Sequence, residues 1–481
     1  MKPQSIDRSA PFQGLTSDAP AYRQALDYLY GRINYEKLSK PSPKHPMKLV
    51  RMRALLAEMG NPQSDLRIVH IGGTKGKGST ATMVSSIATA AGYRCGLYTS
   101  PHLETLEERF QVDRRLATPE QVVSLIDFVH SAADAIQKQG EGEVTFFEMT
   151  TAIAIEHFRR SACDLVALEV GLGGRLDSTN VCLPLVTAIT SIGLDHQHVL
   201  GDTVELIAAE KAGIIKPGIP CVSGVQNRSA ADVIRQVASE KQAPFIELNR
   251  HFCPSNVSLN PSHGGATFDL TRLAESPGFL RERRQVQLAL AGEHQVRNAA
   301  VALAIIDSLN HQIESRLSLT DASCRQALAN LRIPGRIESF DGQPQVVLDT
   351  AHNRDSIAAL RDVIEQRFAD RDVVVVFGTS HDKDAREMID ILGRCCKHLL
   401  LTRYRTNPRW YPPQQLALLA AEVAGQNWQV IEDAHDAIDM ARRLAGPGGV
   451  VVVCGSFFLA AEVRPNLVKQ SIGEGRNAPN P

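Results

Sequence analysis

The sequence predicts an α/β protein: a parallel, doubly wound sheet followed by a second, smaller α/β unit. Two observations carry this expectation. Apolar runs of strand length at 67–71, 165–170, 185–192 and 220–223 alternate with longer helical patterns such as 119–137 and 148–160. Continuous apolar strands separated by helices mark a parallel sheet covered on both faces. A fresh series of apolar runs, 346–349, 373–377, 399–401 and 450–454, then begins beyond Pro334-Gly335, a dipeptide that punctuates structure.

Taken in order, residues 1–20 are polar, contain Pro3, Pro11 and Pro20, and read as a loose tail. Residues 21–59 are helical in pattern, with a Lys/Pro-rich break at 40–46 and an amphipathic run at 47–56. The strand at 67–71 runs into glycines and then a helix from Thr80 to about Ala91. Residues 250–285 interrupt the alternation, being rich in Pro, Ser and Gly around 266–270, and read as an antiparallel hairpin or an irregular excursion. Helical patterns at 295–308 and 321–331 lead to the Pro-Gly linker. The expected division is a tail (1–20), a larger α/β domain (21–332) and a Rossmann-like C-terminal α/β domain (333–481), and 481 residues suit two domains.

Lys and Arg number 52 against 53 Asp and Glu, for a net charge of −1. This excludes a protein whose main task is to hold nucleic acid or an anionic membrane, both of which favour a surplus of basic residues. Nine cysteines, with no C-x-x-C pair, fit a reduced cytoplasmic protein without a disulfide frame or zinc cage. The first residues lack an apolar signal region, and runs such as 373–377 are far too short to span a bilayer.

The strongest motif is Gly72-Gly73-Thr74-Lys75-Gly76-Lys77-Gly78-Ser79, between a strand and a helix. Glycines let the backbone turn its N–H groups toward a polyphosphate, the helix amino terminus adds a positive dipole, and Lys77 supplies a charge. The motif departs from the strict P-loop, with Ile71 where the first Gly belongs and Gly78 directly after Lys77. Glu169 ends an apolar strand at its carboxyl end, the rim where open α/β sheets bind ligands. Its carboxylate suits Mg²⁺ bound with nucleotide phosphates, or else an ion pair with Arg175. From the residues alone, His196 also reads as a hydrogen-bonded core imidazole, Lys211 as a helix-end lysine beside Glu210, and Arg336 as a surface charge beside a linker. Phe146-Phe147 offers aromatic surface next to hydrogen-bonding groups, suited to a flat heteroaromatic ring, though adjacent aromatics also build cores.

The loop Gly-Thr-Lys-Gly-Lys-Gly-Ser resembles that of the Mur ligase superfamily, in particular folylpolyglutamate synthase/dihydrofolate synthase. The stretch 168–180, Leu-Glu-Val-Gly-Leu-Gly-Gly-Arg-Leu-Asp-Ser-Thr-Asn, is similar to that family's second signature. Further matches follow in order from Thr99-Ser100-Pro101-His102 to Gly455-Ser456, over roughly residues 47 to 465. The resemblance implies a P-loop Mur-ligase-type central domain and an ATP-dependent amide ligase that adds L-glutamate to a pteroate or folate carboxylate through an acyl phosphate.

It further implies that Thr74, Lys75, Gly76, Lys77, Gly78, Ser79, Asn298, Arg336, Asp349 and His352 contact ATP, and that Ser100, Glu169 and His196 bind Mg²⁺. Lys211 would be carbamylated. Thr145, Phe147, Leu176, Asp177 and Ser178 would face the pterin or folate, and Asp382 and Lys383 the glutamate. Lys77, Glu169, His196, Lys211 and Arg336 form the implied catalytic set. Dihydropteroate or tetrahydrofolate, L-glutamate and ATP are the expected partners, without nucleic acid or membrane, and the protein is expected to be a cytoplasmic monomer. Other readings left open are another amino-acid ligase of the superfamily and a catalytically silent nucleotide-binding protein. Departures from the family pattern are Lys75 for Asn, Thr350 for Gly, and Phe457-Phe458 for an aliphatic–Tyr pair.

Overall fold

The computed structural model describes residues 19–34, 49–260, 264–312, 316–423, 425 and 427–475, so most of the expected tail and the Lys/Pro-rich break lie outside the described residues. Its first sheet has seven strands in the order Phe110–Val112, Cys95–Tyr98, Leu165–Glu169, Ile68–Gly72, Val186–Ile189, Cys221–Ser223, Phe245–Glu247. All neighbours pair parallel except the edge strand Phe110–Val112, which runs antiparallel to Cys95–Tyr98. Ile68–Gly72 is central and fully buried, with Ile71 opposite Glu169 on one side and Gly72 opposite Ile189 on the other. The carboxyl ends of these strands therefore share one rim.

Side chains alternate between two cores, as strand geometry requires. Val69, Ile71, Leu165 and Ala167 pack with the helices Lys77–Ala90 and Glu293–His311 on one face. Ile68, Val166 and Leu168 pack with Pro119–Lys138 and Phe146–Arg160 on the other. The irregular region is a three-stranded antiparallel sheet, with Gly265–Arg272 between Phe252–Asn260 and Arg283–Leu288. Its third strand eludes a hydrophobic pattern because it begins Arg-Arg-Gln; Arg283 is nevertheless buried, paired with Asp307 at 2.6 Å.

The second sheet has six strands, in the order Glu338–Phe340, Gln345–Leu348, Val450–Cys454, Val373–Phe377, His398–Arg403, Trp428–Asp433, all parallel but the first. The helix Phe457–Gly475 carries Arg464 back to the first sheet's loops. Its guanidinium grips Glu338 at 2.8 Å through two bonds and reaches Glu104, which follows Cys95–Tyr98, at 2.5 Å. Glu338 also accepts the Gly335 N–H at 2.8 Å, so one arginine ties the linker to both sheets. Arg464→Ala should loosen this tie by about 1 kcal/mol, as partly exposed ion pairs do, and lower the thermal midpoint by about 2 °C. Scanning calorimetry checks it.

Candidate active site

The glycine loop is held from the next strand over. Thr74 N–H donates to Ser191 O at 2.7 Å, Lys75 N–H to Ser191 Oγ at 2.9 Å, and Thr190 Oγ1 to Lys75 O at 2.6 Å. Gly76 caps the helix Lys77–Ala90 at φ +83°, and a Cβ there would lie 2.3 Å from Asn298 Oδ1. Loop and Asn298 thus touch across a gap that only glycine allows. Gly76→Ala combines a left-handed strain of about 1–2 kcal/mol with that clash, and should weaken nucleotide binding at least ten-fold, measured by calorimetric titration with ADP.

Behind the loop, Glu169 is buried at the rim and accepts the Ser100 N–H at 2.9 Å. Lys77 Nζ stands 3.9 Å from its carboxylate, and a Cβ on Gly78 would come within 3.2 Å of it. Burial raises the Glu169 pKa, opposed by the charges of Lys77, Arg336 and Arg109 and by the Ser100 N–H. The alternative of an ion pair with Arg175 does not hold: Arg175 pairs with Glu210 at 2.7 Å.

A second group lies beside it. Lys75 pairs with Asp195 at 2.9 Å, and Asp195 stands 3.7 Å from His196, which is partly exposed. Desolvation, with Lys383, Lys77 and Lys75 close by, lowers the imidazole to about 4 against the pull of Asp195, so it is neutral at pH 7. Lys383, on the second sheet's rim, is near enough for its charge to act on Asp195 and His352 as well. Lys211 is buried at the end of the helix Val204–Ala212 and donates to Gly73 O at 2.9 Å. Desolvation, then the Lys77 charge, brings its ammonium down to about 7. It is the helix-end lysine that the residues suggest, but it is buried and bonded to the loop, while Glu210 pairs with Arg175.

From the second unit, Asp349 is buried and accepts the Ile337 and Ala351 N–H groups at 2.8 and 2.7 Å. Arg336 lies over the Phe457 ring at 5.4 Å. His352 contacts Thr350 O through Nδ1 at 2.9 Å, and desolvation lowers it to about 3.

Other expected contacts are turned inward. Thr145 is buried and caps the helix Phe146–Arg160, its hydroxyl donating to Glu148 at 2.8 Å while Arg51 holds Glu148 at 2.9 Å. Asp177 is buried too and accepts the Leu172 N–H at 2.8 Å and the Thr179 N–H at 3.0 Å. Phe147, Leu176 and Ser178 keep partly exposed surface, and the Phe147 ring covers Gly171, where a Cβ would meet it at 2.2 Å. Phe146 is the core member of the aromatic pair. Ser79 is buried in its helix, and Asp382 sits 3.7 Å from Lys383.

Sequence reading missed Arg109. It is almost fully buried, donates to His102 Nδ1 at 2.8 Å, lies over Phe146 at 5.1 Å, and acts on Glu169. Within Glu-Glu-Arg-Phe it looks like solvated charge, and only the tertiary fold buries it. Among the described residues no three His, Cys, Asp or Glu side chains converge to hold a metal by themselves, none of the cysteines is paired, and no helix is long and apolar enough to cross a membrane.

The rim thus gathers two cations, Lys77 and Arg336, whose charges both act on the Glu169 carboxylate, an arrangement suited to an anionic ligand. The Mur ligase middle domain matches residues 71–306, and the Mur ligase glutamate ligase domain matches 335–457. The dihydrofolate synthase/folylpolyglutamate synthase of Bacillus subtilis is 34% identical over 454 residues, covering 93% of this chain and 99% of that protein. Among solved structures, the folylpolyglutamate synthase of Thermotoga maritima has a TM-score of 0.80 at 32% identity, covering 94% of this chain and 97% of its own. That of Mycobacterium tuberculosis, solved with ADP and AMPPCP, has a TM-score of 0.82 at 30% identity, covering 93% and 98%. The chain belongs to the dihydrofolate synthase/folylpolyglutamate synthase family of Mur ligases, enzymes that ligate glutamate at the expense of ATP.

Proposed function

We propose that this protein joins L-glutamate to the carboxylate of a pteroate or folate in two steps. A carboxylate oxygen of the acceptor attacks the γ-phosphorus of ATP, the bond to the bridging oxygen breaks, and ADP leaves with an acyl phosphate formed. The neutral amine of glutamate then attacks the acyl carbon, inorganic phosphate leaves, and the amine loses its extra proton to give the amide. Neither step needs a covalent enzyme intermediate, so positioning and charge neutralisation do the work.

The observation that carries this reading is the convergence of Lys77 and Glu169 at the first rim with Arg336 from the linker, close enough for both cations to act on one carboxylate. Lys77 and Arg336 neutralise the transferring phosphoryl group. Thr74, Lys75, Gly76, Gly78 and Ser79 wrap the phosphates, with Asn298, Asp349 and His352 on the nucleoside side. Glu169, a hard oxygen donor at the loop, fits Mg²⁺, and Ser100 and the neutral His196 would complete its protein ligands. Mg²⁺ supplies neutralisation of phosphate charge when bound. A Lys211 amine lowered to about 7 is nucleophilic toward CO₂ at neutral pH; the addition releases one proton and leaves a carbamate, an anion facing the metal position in place of a repelling cation.

Phe147, Leu176 and Ser178 would offer the acceptor its surface, with Thr145 and Asp177 shaping the turn behind them. Asp382 and Lys383 would meet glutamate. We take the protein to divide at Pro334-Gly335 and to act as a cytoplasmic monomer on small molecules alone, a reading that the charge balance and unpaired cysteines support. The test is ADP release with ATP, Mg²⁺ and L-glutamate, comparing 7,8-dihydropteroate with tetrahydrofolate. Turnover with either supports the reading and decides the acceptor; turnover with neither rejects it.

A further inference from the structure

The helix Phe457–Gly475 begins with two phenylalanines, and each carries a guanidinium. Arg336 lies 5.4 Å from the Phe457 ring centre and Arg409 lies 5.5 Å from that of Phe458. Arg336 has a role in neutralising the phosphoryl group, whereas Arg409 has none so far. We propose that Arg409, held against Phe458, receives a carboxylate of the incoming L-glutamate and so helps select a dicarboxylic amino acid. The proposal rests on the ligase reading.

Several observations support it. Arg409 belongs to the loop 404–412, which follows the strand His398–Arg403 at its carboxyl end, where open α/β sheets bind ligands. Its neighbours are matched: Arg403 pairs with Glu432 at 3.0 Å and Arg405 with Asp433 at 2.8 Å. Arg409 forms no ion pair among the described residues, and its Nε is shielded from solvent without an acceptor. The same is true of the Thr379 hydroxyl across the loop pair, where Tyr411 N–H donates to Thr379 O at 2.8 Å. A donor and a hydroxyl are thus both left without partners on two adjoining loops. A guanidinium on a ring face is pre-oriented for bidentate recognition of a carboxylate.

The backbone connects this loop to the reaction centre. His381 N–H donates to Arg409 O at 2.9 Å, the Ser380 and Tyr404 hydroxyls meet at 2.6 Å, and Lys383 follows two residues after His381. Lys383 in turn acts on Asp195 and His196 beside the phosphate loop. Glutamate seated on Arg409 would therefore lie on the second-unit side of the cleft, its amine free to face an acyl phosphate formed over Lys77.

Arg409→Ala and Arg409→Lys test this in steady-state kinetics with each substrate varied in turn, and thermal unfolding reports folding. Loss of a charge-assisted pair predicts a KM for L-glutamate raised about 30-fold in Arg409→Ala, and less in Arg409→Lys. The KM for ATP and for the acceptor should move less than about three-fold. L-Glutamine and L-isoglutamine each lack one of the two carboxylates. One of them should react equally well with wild type and variant, because the group that Arg409 would bind is already missing. Equal loss with glutamate and both monoamides, or an unchanged KM for glutamate in a folded variant, would overturn the proposal. A wild-type enzyme that releases no glutamate-dependent ADP would instead overturn the ligase reading. If Arg409→Ala does not fold, the monoamide comparison in Arg409→Lys decides between the same outcomes.

Discussion

Lys77→Met is expected to lower kcat/KM for ATP about 10³-fold, roughly 4 kcal/mol of transition-state stabilisation, the scale on which losing one preorganised charge donor acts. The side chain stands at the amino end of the helix Lys77–Ala90, 3.5 Å from Thr74 O and 3.9 Å from Glu169. It is held but not neutralised at contact distance, so its charge is available to a phosphate. Methionine keeps the length and removes the charge. On the proposed mechanism the fall lies mainly in kcat, because Lys77 would meet the charge developing on the transferred phosphoryl group while the loop backbone and Asn298 would still hold the nucleotide. Single-turnover ADP formation with saturating ATP distinguishes the two. A loss confined to KM would assign Lys77 to ground-state binding alone.

Lys211→Ala should cost about 10²-fold or more in kcat, since it removes a group that on the proposed mechanism would orient Mg²⁺ as a carbamate and that, unmodified, bonds to Gly73 O. The pH and CO₂ dependence separates these roles. With a pKa of about 7 against an ordinary 10.5, the folded amine is neutral above pH 7 and protonated below it, and only the neutral form captures CO₂. Activity after CO₂ depletion should fall and return with bicarbonate, more readily at pH 8 than at pH 6. Between pH 7 and 10.5 the unfolded chain binds a proton at Lys211 that the unmodified folded chain does not, so this group's contribution to stability rises with pH across that window. Protein equilibrated with ¹³C-bicarbonate should show one carbamate resonance that Lys211→Ala removes. Its absence, with activity indifferent to CO₂, would reduce Lys211 to a structural donor.

Much of this site was legible in the sequence because its parts lie at strand ends. The glycine loop and Glu169 each follow an unbroken apolar run, and such runs become buried parallel strands whose carboxyl ends form the rim. What escaped lacks that local signature. Cys95–Tyr98 and Phe245–Glu247 are too short to show a period, and Arg283–Leu288 begins with charges whose partner, Asp307, lies on a distant helix. Arg109 and Arg409 owe their settings to contacts that only the folded chain makes. Thr145 had a readable signal that pointed elsewhere: Thr-Phe-Phe-Glu is a capping box, and the structure commits the threonine hydroxyl to Glu148. Lys211 is the converse case, an ordinary helix-end lysine by pattern whose chemistry comes from burial beside the loop.

An acyl phosphate formed in the cleft between Lys77 and Arg336 would leave its mark in an isotope-transfer measurement. An acceptor labelled with ¹⁸O in its carboxylate is turned over with ATP and L-glutamate, and the released phosphate is analysed by mass. Attack by the carboxylate on the γ-phosphorus predicts one ¹⁸O in each phosphate formed. Phosphate without label, at undiminished amide formation, would contradict it.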